Sequence, residues 1–284
     1  MRYGIISDIH GNLPALEAVL ADITQAGVDE IICLGDIANI GPYPAECIDI
    51  IRDLGGVTIQ GNHELYLLGQ TLPDDWSTCP TWSPVRWTID RLNRDHFDFI
   101  ANLPFKYELM DDGLAPTIFT HASLVDQFTG YYPEMTQEDV AYCMQGKDNI
   151  TLFCAHTHRQ LYRAWSDSFI INVGSVGMPL DRSPEAKYVI ATRDKTGWNV
   201  EFRRLAYDVD AVMRAFDERG LQAAGGTITA VFRHQVRTGE RNASDYLHAL
   251  RDLAEEQNKT VGEIYAEAPI PEYVRPYLNG HLVK

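Results

Sequence analysis

Eight residues able to bind metal or move a proton fall into five short blocks: Asp8 and His10, Asp36, Asn62 and His63, His121, and His156 and His158. Five of the chain's nine histidines are in this set. Carboxylate, amide oxygen and imidazole together suit Mn²⁺, Fe or Zn²⁺, and the lack of thiolate argues against a structural zinc site. The donors are too many for one cation. They suffice for two if one carboxylate bridges. Each has an ordinary alternative: a histidine is often a hydrogen-bonded core residue, an Asp or Asn a turn or cap. Those readings would have to hold at five places at once.

The elements that must position these groups are legible around them. Gly4-Ile5-Ile6 is a short apolar strand running into Asp8, and Gly11-Asn12-Leu13-Pro14 opens a helix with Asn12 as cap and Pro14 in its first turn. Leu13, Leu16, Val19, Leu20 and Ile23 give that helix one apolar face. Ile31–Leu34 is a second strand, ending at Gly35-Asp36, and a right-handed parallel crossover sets Asp8 and Asp36 at the same end of neighbouring strands. Val57–Gln60 delivers Asn62 and His63, Pro116–Thr120 delivers His121, and Thr151–Cys154 delivers His156 and His158. In open α/β sheets that end of the strands is where ligands bind.

Other stretches organise the rest. Residues 65–103 read as a helical cap or insertion. Phe105–Met110 and Pro116–Thr120 form a hairpin around Asp111-Asp112-Gly113. Four short strands between Leu161 and Leu205 suggest an antiparallel region beside the first sheet. Val209–Arg219 and Ala243–Glu256 read as helices, separated by a stretch holding Gly225-Gly226 and Gly239, and no chemistry is detectable after residue 207. The expected organisation is therefore a domain over 1–206, with 65–103 inserted in it, followed by a helical extension over 207–284.

The chain has 284 residues and a formal charge of −16. Such an acidic surface argues against a nucleic-acid polymer or an anionic membrane as partner. A phosphate substrate remains compatible, because bound cations reverse the sign locally. No apolar run reaches the ~20 residues of a membrane span, and the first strand begins at once, so the expectation is a cytoplasmic protein. The five cysteines, odd in number and without C-x-x-C spacing, read as reduced and mostly buried.

The blocks Asp8-x-His10, Gly35-Asp36, Gly61-Asn62-His63-Glu64, His121 and His156-x-His158 resemble, in order, spacing and residue type, the signatures of the calcineurin-like metallophosphoesterase superfamily. Asn172-Val173-Gly174-Ser175-Val176-Gly177 resembles a further motif of its compact YfcE-like phosphodiesterase branch. The likeness covers about residues 1–205. Ala155 stands where the family usually has Gly, a change in backbone freedom and not in ligation. The resemblance implies an α/β fold, a four-layer αββα sandwich of two mixed sheets flanked by helices. It also implies roles: Asp8, His10 and His158 on one metal, Asn62, His121 and His156 on the other, Asp36 bridging, and His63 as general acid or as a residue orienting another ligand.

The expected function is a dinuclear metal-dependent phosphoesterase. It would cleave phosphodiesters or phosphomonoesters by attack of a metal-bound hydroxide, with manganese the first choice of metal and Fe, Zn, Ni or Mg as alternatives. Small phosphate esters or nucleotides are the expected substrates. Rival readings are a nucleotide or dinucleoside polyphosphate hydrolase, a protein phosphatase, and a metal-containing binding protein on the same fold. Asn12 and Asn39 read equally as site supports or turn residues. Trp82, Trp87, Phe128, Tyr131 and Tyr132 read first as packing, Arg86 as a solvated helix residue, and the tail as a candidate dimer contact or a cover for the cleft.

Overall fold

The computed structural model describes residues 1–110 and 113–278. The expected hairpin forms, but Asp111 and Asp112 of its turn, like residues 279–284, lie outside the described residues.

The first half alternates strand and helix: β1 (Arg2–Ile6), α1 (Leu13–Ala26), β2 (Glu30–Cys33), α2 (Pro44–Leu54), β3 (Val57–Thr58) and α3 (Asn62–Leu67). Asn12 caps α1 by accepting from the Ala15 amide, and Gly27 closes it in a left-handed conformation. α4 (Ser83–Ile89) and α5 (Arg94–Ala101) follow, then β4 (Lys106–Leu109), β5 (Thr117–Thr120), α6 (Gln137–Cys143) and β6 (Thr151–Cys154). β7 (Leu161–Trp165), β8 (Ser168–Asn172), β9 (Ala186–Asp194) and β10 (Gly197–Leu205) complete the strands.

These form two mixed five-stranded sheets, ordered β10-β9-β1-β2-β3 and β4-β5-β6-β8-β7. β1, β2 and β3 are mutually parallel, as are β5, β6 and β8. The sheets face each other across a core of Ile5, Ile32, Leu34, Phe119, Phe153, Ile171 and Val189. α1 and α2 cover the outer face of the first sheet through Leu16, Val19, Ile48 and Ile51, and α6 covers the second through Val140 and Cys143. This is the expected αββα sandwich.

Two expectations change. The strands of 161–205 do not form one antiparallel region. β7 and β8 extend the second sheet, with β8 parallel to β6, whereas β9 and β10 pair antiparallel onto β1 in the first. Each short strand pairs locally in a hairpin, so the sequence carries no mark of which sheet the hairpin joins. The interval holding Gly225-Gly226 is itself helical, α8 (Leu221–Thr238), with Gly226 (φ 56°, ψ −132°) outside the helical conformation and dividing it into two segments at a kink. Gly226 takes a positive φ that costs glycine no Cβ clash, and burial of Ile228, Val231 and Val236 holds the longer segment after it. α8 packs between α7 (Val209–Glu218), α9 (Asn242–Gln257) and α4, with α10 (Val261–Glu267) and α11 (Arg275–Leu278) beyond. No helix among the described residues is long and apolar enough to cross a membrane.

Candidate metal centre

The loops after β1 and β2 are laced together: the Asp8 amide donates to the Gly35 carbonyl at 3.1 Å, and the His10 amide to the Asp36 carbonyl at 3.0 Å. Gly61 lies against Asp36 so closely that a Cβ there would sit 2.2 Å from Asp36 Oδ1. Asp8, His10, Asp36, His156 and His158 all have positive φ, between 50° and 66°. A left-handed backbone costs a non-glycine residue about 1–2 kcal/mol. Its concentration in five residues of one constellation marks a site held in shape against local preference.

The donors converge in two groups that share Asp36. Ligand atoms of Asp8, His10, Asp36 and His158 lie within 4.8 Å of one another, and so do those of Asp36, His121 and His156. Within the first group His158 Nε2 is 3.1 Å from Asp8 Oδ1 and 3.2 Å from His10 Nε2. In the second, Asn62 Oδ1 lies 3.0 Å from both His121 Nε2 and His156 Nδ1. Asp36 Oδ1 accepts from the His63 amide at 2.8 Å, which leaves Oδ2 3.8 Å from His10 Nε2 and 3.3 Å from His121 Nε2. All eight expected site residues are thus brought to one place. His63 stands at its rim, Nε2 3.9 Å from Asp36 Oδ2.

Carbonyl oxygens fix the rings. His121 Nδ1 meets the Leu34 carbonyl at 2.8 Å and His158 Nδ1 meets that of Met178, so each presents Nε2 to the centre. Asp8 Oδ1 is buried with His158 Nε2 as its nearest polar partner, and His10 Nδ1 is buried with no hydrogen bond. Burial opposes ionisation of Asp8, yet His158 and His121 hold its carboxyl down at about 2. Burial works against a charged His121 too, and Asp36 outweighs it, raising the imidazole to about 9. Burial and the neighbouring His121 push His156 down to about 4. Two buried carboxylates facing four crowded imidazoles fit divalent cations, whose charge would replace that of the imidazolium protons.

Several residues take clearer places than the sequence gives them. Asn39 Nδ2 donates to His63 Nδ1 at 2.8 Å, and its Oδ1 accepts from the Ile40 amide at 2.9 Å, which settles the orientation of the carboxamide. Asn12 donates to the Gly177 carbonyl at 2.9 Å and the Tyr207 hydroxyl at 3.0 Å. Arg86 is not a solvated helix residue: it donates to the carbonyls of Trp76 and Cys79, pinning the loop before α4. Trp87 and Tyr131 are buried core residues, whereas Trp82, Phe128 and Tyr132 line the cleft. Glu64 has no role from its sequence position alone. Its buried carboxylate accepts from the amides of Asp36, Ile37 and Gly61 at 2.8–2.9 Å. Burial and Asp36 push this acid up to about 7 while the three N–H groups favour its ionised form.

Residues 1–196 match the model of the calcineurin-like phosphoesterase superfamily domain. The chain belongs to that superfamily and is a phosphoric ester hydrolase by class. It is 31% identical over 222 residues to the uncharacterized protein MJ0912 of Methanocaldococcus jannaschii, covering 72% of this chain and 87% of that one. The phosphodiesterase YfcE of Escherichia coli aligns over 204 residues, 68% of this chain and 89% of that protein. Over that alignment 48% of the residues are identical. The crystal structure of a metallophosphoesterase from Sphaerobacter thermophilus superposes with a TM-score of 0.68 at 28% identity. It covers 84% of this chain and 99% of that one, a larger share than residues 1–205 alone.

Proposed function

We propose that the chain is a dinuclear metal-dependent phosphoesterase that hydrolyses small phosphodiesters or phosphomonoesters with water. The observation that carries this reading is the place of Asp36 Oδ2 between His10 Nε2 and His121 Nε2, shared by two donor groups. Asp8, His10 and His158 would hold one cation, Asn62, His121 and His156 the other, and Asp36 both. When bound, two divalent cations supply charge neutralisation on the phosphoryl oxygens and a water acidic enough to attack near neutral pH. Manganese suits this oxygen and nitrogen set, with Fe, Zn, Ni and Mg as alternatives.

The chain's own residues do the rest. Asp8 and Asp36 bring two negative charges against four positive, so the centre keeps a net attraction for phosphate. His63 has Nδ1 occupied as an acceptor from Asn39, which puts its proton on Nε2, facing the centre. That N–H is placed to donate a hydrogen bond to the leaving oxygen as its charge develops, with the ring staying neutral. Glu64 holds the Asp36 loop against the start of α3.

Residues 1–206 make up the phosphoesterase domain in this reading, with 65–103 inserted and 207–278 folded over the cleft. Five buried free cysteines fit a reducing compartment, here the cytoplasm. A nucleotide is the favoured substrate type among esters, because Tyr66, Trp82 and Phe128 form one ring cluster on the cleft wall, with centroids 5.1 and 6.0 Å from that of Tyr66.

The test is to measure bound metal per chain together with hydrolysis of p-nitrophenyl phosphate and its bis ester. About two ions per chain with metal-dependent release of nitrophenolate supports the proposal. Metal binding without turnover of any phosphate ester would favour a binding protein on the same fold.

A further inference from the structure

The metal centre opens into a cleft of about 1010 Å³. Ligand pockets commonly span about 300–1,000 Å³, so this one has room for far more than a single phosphate. Its far wall comes from the helices after residue 207, and α9 contributes Arg251. Away from the metal centre the wall carries three arginines, Arg159, Arg241 and Arg251, against one carboxylate, Asp75. That balance is the reverse of the whole chain, which stands at −16.

The three arginines are not equally engaged. Arg241 lies 3.6 Å from Asp245. Arg159 gives Nε to the Leu180 carbonyl at 3.0 Å, and its two terminal nitrogens make no hydrogen bond among the described residues. Arg251 has no carboxylate within ion-pair range among the described residues. Arg251 is exposed and Arg159 half-buried on the cleft wall, and a guanidinium's planar fork matches a phosphate. Tyr66 lines the same cleft, its ring 5.3 Å from that of His63 and 5.1 Å from that of Trp82. Arg251 is near enough to Tyr66 for its charge to act on the phenol.

We propose that Arg159 and Arg251 form a subsite for a second phosphate, and that the substrate class is a nucleotide-sized ester with one phosphate at the metal centre, an aromatic group on the Tyr66–Trp82 wall and another phosphate at the arginines. The inference rests on the hydrolase reading above and narrows it. The helical extension then acts in specificity: it supplies Arg251 opposite the Arg159 of the phosphoesterase sandwich.

Two matched probes test this on the manganese-loaded protein: the p-nitrophenyl ester of thymidine 5′-phosphate, and the same ester carrying a 3′-phosphate. Calorimetry compares thymidine 3′,5′-bisphosphate with thymidine 5′-monophosphate. The doubly phosphorylated ester should be favoured by about tenfold or more in kcat/KM, chiefly through KM, with a matching preference in binding. In R159Q/R251Q both ratios should collapse to about twofold or less, and R251K should retain most of the preference. Equal ratios in the wild type, or a preference that survives the double substitution, overturn the subsite. If neither ester is cleaved but the binding preference exists and is lost in the variant, the hydrolase reading fails and the subsite stands. If both are cleaved without preference, the subsite fails and the hydrolase reading stands.

Discussion

Asn39 donates its carboxamide N–H to Nδ1 of His63 at 2.8 Å, and this one bond decides which nitrogen of the histidine carries the proton. Asn39 is itself fixed: its backbone is left-handed (φ 78°) and its Oδ1 is held by the Ile40 amide. Burial, aided by His158 and His121, lowers His63 below its usual value, so the ring is neutral near pH 7 with Nε2–H facing the centre.

His63→Gln should therefore lower kcat by roughly 10²–10³-fold on alkyl phosphate esters, the loss of one donor to the developing charge. Its effect on p-nitrophenyl esters should be much smaller, because nitrophenolate leaves without a proton. Steady-state kinetics on a series of leaving groups checks this. An equal loss across the series would make His63 a support for other ligands and not the donor to the leaving oxygen.

Asp36→Asn should weaken both cation positions, whereas loss of a histidine touches one. Its Oδ2 is the one carboxylate oxygen common to both donor groups, 3.3 Å from His121 Nε2 and 3.8 Å from His10 Nε2. The expected outcome is loss of at least one of two ions per chain by elemental analysis, and hydrolysis of the bis ester below detection, with circular dichroism unchanged. His158→Ala should likewise abolish activity. Full activity in either variant removes the proposed centre.

Much of this centre is legible in the chain because each donor sits directly after a strand, where a local rule suffices to place it: Asp8 after β1, Asp36 after β2, His121 after β5. The sandwich follows from the same alternation. What stays hidden depends on long-range packing. Nothing near Arg251 in the sequence says that α9 folds back over the cleft, and nothing around Leu161–Leu205 says which sheet each hairpin extends. Glu64 stands in the motif in plain view. Its work, three amide bonds to two separate loops, exists only once Gly35 and Gly61 have brought those loops together.

Glu64→Gln replaces an acceptor of three amides with a group that has one oxygen. At least one of the Asp36, Ile37 and Gly61 amides is then left buried without its partner, a cost of about 1–3 kcal/mol. Thermal unfolding should show a lower Tm, and kcat should fall with it as the Asp36 loop loosens. An unchanged Tm would mean that water or a neighbour replaces the lost acceptor.

Gly61→Ala tests the close approach itself. The added Cβ would stand 2.2 Å from Asp36 Oδ1 and 2.6 Å from its amide nitrogen, and neither the buried carboxylate nor the backbone has room to retreat. The β2 and β3 loops must separate, which moves Asp36 away from Asn62. Metal uptake should fall below two ions per chain and activity should be lost. Retention of both would show that the loops can part without opening the centre.

The acid limb of stability should depend on a residue far from the centre. Asp22 on α1 accepts two bonds from Arg203 Nη2 of β10, at 2.8 and 2.9 Å, and one from the Tyr188 hydroxyl of β9. Burial would raise its carboxyl, but these donors prevail and hold it below the usual value. A carboxyl depressed in the folded state binds fewer protons there than in the unfolded chain, so stability rises with pH through the interval between the two values. The contribution is complete above about pH 4 to 5, near the unfolded value, and is lost as the pH falls through the folded one. Asp22→Asn should lower the urea midpoint at pH 6 and flatten its decline between about pH 5 and 2. Parallel acid limbs for wild type and variant would mean that Asp22 titrates alike in both states. The Arg203 and Tyr188 contacts would then contribute nothing that depends on its charge.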